Sequence, residues 1–173
     1  IHGITLTPVR QYGAAALPSL MQHLRTTASR KFWHRAAYCI GLMGDTAYFD
    51  SLRSYVWDWH HGTVGDHAYM AIARAQESLG LIATRSSRAE AYLIAGCDPA
   101  YWLATTWRPV ARTDEQFSTY MSKMSILALG YCDTQRATAE LTALASAPKH
   151  PGQRIVIQEA LQRNRRVRAV GIR

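Results

Sequence analysis

No stretch of this 173-residue chain approaches the roughly 18 uninterrupted apolar residues that a membrane-spanning helix needs. Its first residues lack the basic-then-apolar pattern of a secretion signal. The expectation is a soluble protein. Cysteine is scarce: Cys39, Cys97 and Cys132 are odd in number, widely spaced and without a C-x-x-C pair, which argues against a disulfide framework or a zinc ribbon. Reduced thiols behaving as small apolar residues favour the cytoplasm. Because the chain begins at Ile1, it reads as a processed form or a fragment, and a periplasmic or secreted location after signal removal stays open.

Catalytic signatures are missing as well. There is no G-x-S-x-G, no H-E-x-x-H, no G-x-x-x-x-G-K and no G-x-G-x-x-G following a strand, so neither a catalytic residue nor a cofactor is indicated. Asp114-Glu115, the one adjacent carboxylate pair, suits the first turn of a helix, where acidic side chains complement the dipole. Asp58, His60, His61, Asp66 and His67 form the only cluster of metal-ligand types. The Gly62-Thr63-Val64-Gly65 link between them fixes no geometry, so a polar loop is expected there rather than a metal site. No alternating strand pattern bounded by hairpin turns appears.

What is present is ample core material. An apolar fraction of 48 % with 18 % charged residues excludes a disordered chain. Twenty basic against twelve acidic residues resembles a nucleic-acid signature until it is located. Residues 1–148 carry 13 basic and 11 acidic groups, a balance of +2, while Lys149–Arg173 carry seven basic groups against Glu159 alone, a balance of +6. The excess charge belongs to the last segment.

The chain also repeats. Arg35-Ala36-Ala37-Tyr38-Cys39-Ile40-Gly41-Leu42 matches, 39 residues on, Arg74-Ala75-Gln76-Glu77-Ser78-Leu79-Gly80-Leu81. A further 50 residues on stands Ile126-Leu127-Ala128-Leu129-Gly130-Tyr131, with Met124 in the arginine position, and a fainter fourth copy is Glu159-Ala160-Leu161-Gln162. Phe32, Ala36, Ile40 and Met43 lie on one helical stripe. Small residues at Cys39, Ser78, Ala128 and Ala160 are expected to let a neighbouring helix approach, and the repeat glycine to form a left-handed helix cap. Cys39, Ile40, Leu79, Ala128 and Leu129 are expected in the core. Leu52 and Val56 after Gly41, and Leu141 and Leu144 after Gly130, predict a second helix packing back on the first. Leu17, Leu20 and Leu24 look like the second helix of an earlier, incomplete pair. Thr113-Asp114-Glu115-Gln116 reads as a capping box, Asp98-Pro99 as a helix start, and Pro148 and Pro151 as the break before the last helix.

The run Arg35-Ala36-Ala37 followed by Ile40-Gly41-Leu42-Met43-Gly44-Asp45 and Leu52, with Gly13-Ala14-Ala15-Ala16-Leu17-Pro18 before it, resembles the HEAT-like repeat, including its phycobilisome-lyase-type variant. The match is best over residues 13–60, weaker over 67–95 and 116–147, and poor elsewhere. The resemblance implies an all-α protein, an α-solenoid of stacked antiparallel helix hairpins forming one domain over residues 1–173, with an irregular insertion at 96–112. It also implies a scaffold or adaptor that holds another protein on its curved surface.

An aromatic-rich edge is the candidate contact. Trp57 and Trp59 lie in the first inter-repeat link, and Tyr101, Trp102 and Trp107 in the 96–112 insertion; stacked repeats would place both segments on one edge. The same rings would serve equally to cover hairpin ends. The alternative function is a nucleic-acid-binding, DNA-glycosylase-like HEAT module that grips phosphates through Arg163, Arg165, Arg166 and Arg168. Arg35 and Arg74, at one repeat position, are expected to reach carboxylates or helix-end carbonyls of a neighbouring hairpin.

Overall fold

A computed structural model describes residues 14–26, 31–59 and 64–170. All regular elements among them are helical: α1 (Leu17–Arg25), α2 (Trp33–Met43), α3 (Phe49–Trp57), α4 (Asp66–Ala83), α5 (Ser87–Gly96), the single turn α6 (Pro99–Trp102), α7 (Asp114–Leu129), α8 (Gln135–Ser146) and α9 (Arg154–Val170). The described residues are 78 % helical, so the expected all-α class holds. None of these helices is long and apolar enough to cross a membrane. The only strand-like pairing among them is an isolated bridge between Val64 and Pro109.

Local chemistry explains where the helices begin. The Thr113 hydroxyl accepts the Gln116 N–H at 3.2 Å while the Gln116 side chain accepts the Thr113 N–H at 3.2 Å, the reciprocal capping expected there. Asp98 accepts the Ala100 N–H at 2.9 Å ahead of α6, and Thr134 accepts the Ala137 N–H at 3.1 Å ahead of α8. Each cap satisfies a backbone donor that the first helical turn leaves without a partner.

Helices α2, α4, α7 and α9 pack in succession, each against the next. On them lie α1 against α2, α3 against α4, α5 between α4 and α7, and α8 against α9. The repeat positions sit at the contacts within the first row. A Cβ on Gly41 would lie 2.7 Å from the Ser78 carbonyl oxygen, and one on Gly80 would lie 2.7 and 2.8 Å from the carbonyl carbon and Cα of Ala128. One on Gly130 would lie 2.9 Å from the Ala160 carbonyl oxygen. The glycine of each copy therefore receives the small residue of the next copy.

This corrects the role expected of the glycines. Gly41 and Gly80 lie inside their helices, and Gly130 ends α7 at φ −62 in ordinary helical geometry. Among the described residues the left-handed cap falls to Gly44, at φ 67. The register also explains a second departure. Ile40, Leu79, Ala128 and Leu129 are fully buried, but Cys39 is only half-buried. It occupies the small position of α2, which no repeat glycine among the described residues meets. Phe32, expected on the buried stripe, precedes α2 and is 47 % exposed; Trp33 fills the core instead.

The first row is held together by polar contacts as well as by close approach. Gln76 on α4 donates to the Ser125 hydroxyl of α7 at 3.0 Å and accepts from the Tyr92 hydroxyl of α5 at 3.0 Å. Gln153 donates to the Cys97 carbonyl and to the Ser122 hydroxyl, both at 3.0 Å. These groups are buried, and because each partner comes from a different segment of the chain, the network favours one register of packing.

Candidate functional site

The two aromatic segments singled out in the sequence do meet. Val64 pairs with Pro109, and Trp57 lies 4.8 Å from Tyr101 and 5.9 Å from Trp102, centroid to centroid. Their rings are turned inward, however. Trp59, Trp102 and Trp107 are buried, Trp57 and Tyr101 half-buried. The Trp102 indole donates to the Gly96 carbonyl at 2.7 Å, and the Trp107 indole to the Val56 carbonyl at 2.9 Å. Trp107 further packs edge-on against Phe117 at 4.9 Å. In this arrangement the rings close hairpin ends, with the polar handles of Trp102 and Trp107 already used. Arg108 fastens the insertion by donating to the carbonyls of Leu103, Thr105 and Trp107 and to Asp114.

Of the metal-type cluster, His60 and His61 lie outside the described residues. Asp58 accepts from the Ser54 hydroxyl at 3.3 Å, and His67 is exposed at the start of α4. No group of three potential ligands comes together among the described residues.

The four C-terminal arginines separate by environment. Arg163 donates to Glu77 Oε1 at 3.1 Å and to Glu159 at 2.9 Å, and its guanidinium stacks over the Tyr131 ring at 4.4 Å. Arg168 donates to the Thr138 hydroxyl at 3.1 Å. Arg165 and Arg166 are exposed and carry no carboxylate partner among the described residues. Arg163 is thus a structural link from α9 back to α4, which disqualifies it as a simple phosphate clamp. Its replacement by alanine is expected to cost about 2 kcal/mol of stability, the usual scale for a partly buried hydrogen bond to a charged group. Alanine at Arg165 or Arg166 should change it by less than about 0.5 kcal/mol. Thermal melting of the three single variants checks this, and equal melting temperatures would refute the distinction.

Arg163, rather than Arg35 or Arg74, makes an ionic contact between repeat copies, reaching from α9 to Glu77 on α4. Arg74 pairs with Glu77 one turn on in its own helix, and Arg35 is exposed without a carboxylate partner among the described residues. Glu77 is 4 % exposed and so sits between Arg74, Arg163 and the Tyr131 hydroxyl, which donates to it at 3.4 Å. A carboxylate this deeply buried needs such partners, because a buried polar group left without hydrogen bonds is costly.

Above this network a groove of about 310 Å³ runs between α4, α7 and α9. Met70, Arg74 and Glu77 line it from α4, Tyr120, Met124 and Leu127 from α7, the successive turns of one helical face in each case. Met70 is 51 % exposed and Tyr120 37 %. Tyr120 packs at 5.0 Å on Tyr69, which also has Trp107 at 6.5 Å and the Arg112 guanidinium at 6.0 Å. Burial holds the Tyr120 hydroxyl above the usual tyrosine range, against the opposing pull of Arg74 and Arg112. At the α2 side, His34 is held below the usual histidine range by its burial and by the positive charges of Arg35, Arg74 and His67. A second hollow, of about 410 Å³, lies beyond Tyr131 among Tyr38, Gly41, Leu81 and Val167.

The sequence held a signal for this face that concentrating on tryptophan missed. Arg35, Arg74 and Met124 each stand six residues before a repeat glycine, and Met70 and Tyr120 stand ten before. Two positions one helical turn apart, one held by arginine or methionine and the other by lysine, methionine or tyrosine, mark the side of the helix that the core does not constrain. Comparison with protein-family models, curated proteins and solved structures finds no match to this chain.

Proposed function

We propose that the chain is a HEAT-like α-solenoid of stacked helix hairpins, in which α2, α4, α7 and α9 form the inner face, and that it serves as a protein-binding scaffold through that face. The pairing of each repeat glycine with the small residue of the next copy supports the stacked reading, because it brings each unit against its neighbour in sequence, as solenoid repeats do. The observation that carries the function is the groove between α4, α7 and α9. It is rimmed by exposed Met70 and Tyr120 above a fully paired charge network. Methionine, tyrosine and arginine are the residues enriched where proteins meet, and a methionine half open to water contributes little to its own fold.

The test is affinity capture from the source cell with the wild-type chain and with the Met70→Glu and Tyr120→Ala variants, each run with and without nuclease. A partner protein that survives nuclease is expected, and its retention should fall by the equivalent of about 2 kcal/mol or more in either variant while melting is unchanged. Capture that vanishes on nuclease treatment would replace this reading with the nucleic-acid one.

A further inference from the structure

The charges around the groove are not balanced. Arg35 on α2 and Arg112 ahead of α7 are both exposed and have no carboxylate partner among the described residues. Arg74 stands between them: it acts electrostatically on His34 on one side and on Tyr120 on the other, and Arg112 acts on Tyr120 as well. His67 joins the same band beside His34. The carboxylates lining the groove are Glu77 and Glu159, and both are engaged, Glu77 by Arg74, Arg163 and Tyr131, Glu159 by Arg163. Arg35, at the repeat position of Arg74 on the helix packed against α4, and Arg112, 6.0 Å from the Tyr69 ring on which Tyr120 packs, therefore flank a pocket walled by Met70, Ala73, Met124 and Leu127.

We propose that this face, on the reading of it as a protein-binding surface, takes an acidic polypeptide segment that seats one apolar side chain among Met70, Met124 and Leu127 and lays its carboxylates over Arg35 and Arg112. Charge complementarity selects the sign, since a like-charged segment meets the repulsion that an acidic one relieves. The apolar walls select a side chain over a phosphate backbone. The cations occupy separate positions beside the groove rather than an unbroken line along it, which is the arrangement suited to spaced aspartates and glutamates rather than to a continuous phosphate backbone.

The experiment is selection from a randomised synthetic peptide library on the immobilised full chain, repeated with the double variant Arg35→Glu, Arg112→Glu and with Met70→Glu. Both arginines and Met70 are exposed, so these variants keep the fold, which circular dichroism checks. Wild-type selection is expected to enrich aspartate and glutamate on either side of one apolar residue. The double variant should bind the selected peptides about tenfold or more weakly, chiefly through slower association. In the bound state the His34 ring, which faces Arg35 on its own helix and Arg74 and His67 on α4, should titrate at higher pH by NMR, because nearby carboxylates offset those cations. Peptides enriched without acidic residues, or binding indifferent to the charge reversal, overturn the inference and leave the protein-binding reading standing. Failure to select any peptide, together with loss of the captured partner on nuclease treatment, overturns both. Homopolymeric single-stranded DNA that binds the wild type with steep salt dependence and is lost in the double variant assigns the face to nucleic acid instead.

Discussion

Alanine at Gly80 is expected to destabilise the protein by about 3 kcal/mol or more, although alanine at an interior helix position ordinarily gains about 1 kcal/mol over glycine. The added Cβ would fall inside van der Waals contact with the backbone of Ala128, 2.7 Å from its carbonyl carbon and 2.8 Å from its Cα. Backbone cannot swing aside as a long side chain can, so α4 and α7 would have to separate. That would also stretch the Gln76–Ser125 hydrogen bond between them. Gly65 is the control: nothing lies within 4 Å of a Cβ built there, and alanine should stay within about 1 kcal/mol of wild type. In a domain of this size each kcal/mol moves the melting temperature by about 2–4 °C, so the Gly80 variant should melt roughly 6–12 °C lower. An unchanged or raised melting temperature would show that the two helices do not approach through this glycine.

Trp102→Ala is expected to cost about 3–5 kcal/mol, the scale for emptying a fully buried aromatic site. Trp102 is inaccessible to solvent, packs against Trp57, Tyr92 and Tyr101, and satisfies the Gly96 carbonyl. Trp102→Phe keeps most of the volume but leaves that carbonyl without its indole donor. It should lose about 1–3 kcal/mol. Chemical denaturation of both variants checks the order. A Trp102→Ala protein as stable as wild type would mean that the ring stands at the surface after all. The consequence for function is direct: loss of partner capture in Trp102 or Trp107 variants would report unfolding, whereas the exposed Met70 and Tyr120 separate binding from stability.

Helix starts were legible because a capping box such as Thr113–Gln116 is completed within four residues. The small positions Ser78, Ala128 and Ala160 were legible because they recur in one register. The purpose of the repeat glycine was not. A glycine near a helix end suits a left-handed cap and a close crossing equally well, and only the neighbouring helix distinguishes them. Gly44, three residues on, took the cap. The candidate site was legible only in part: tryptophan, the largest apolar side chain, is equally at home as a docking anchor and as a hairpin plug. Its direction depends on whether a carbonyl such as that of Gly96 or Val56 stands within reach of the indole.

The sequence by itself determined the helical class, the repeat spacing, the caps and the places where helices can come close, because these follow from periodicity and from chemistry acting within a turn or two of the chain. Only the tertiary structure decided which arginine is structural and which face is left open. Arg163 meets Glu77 across 86 residues of chain, and the Met70–Tyr120 rim stays exposed because the packed neighbours of α4 and α7 lie on their other sides. Burial and ion pairing are properties of what a side chain faces, and what it faces is set by the stacking of helices distant in sequence.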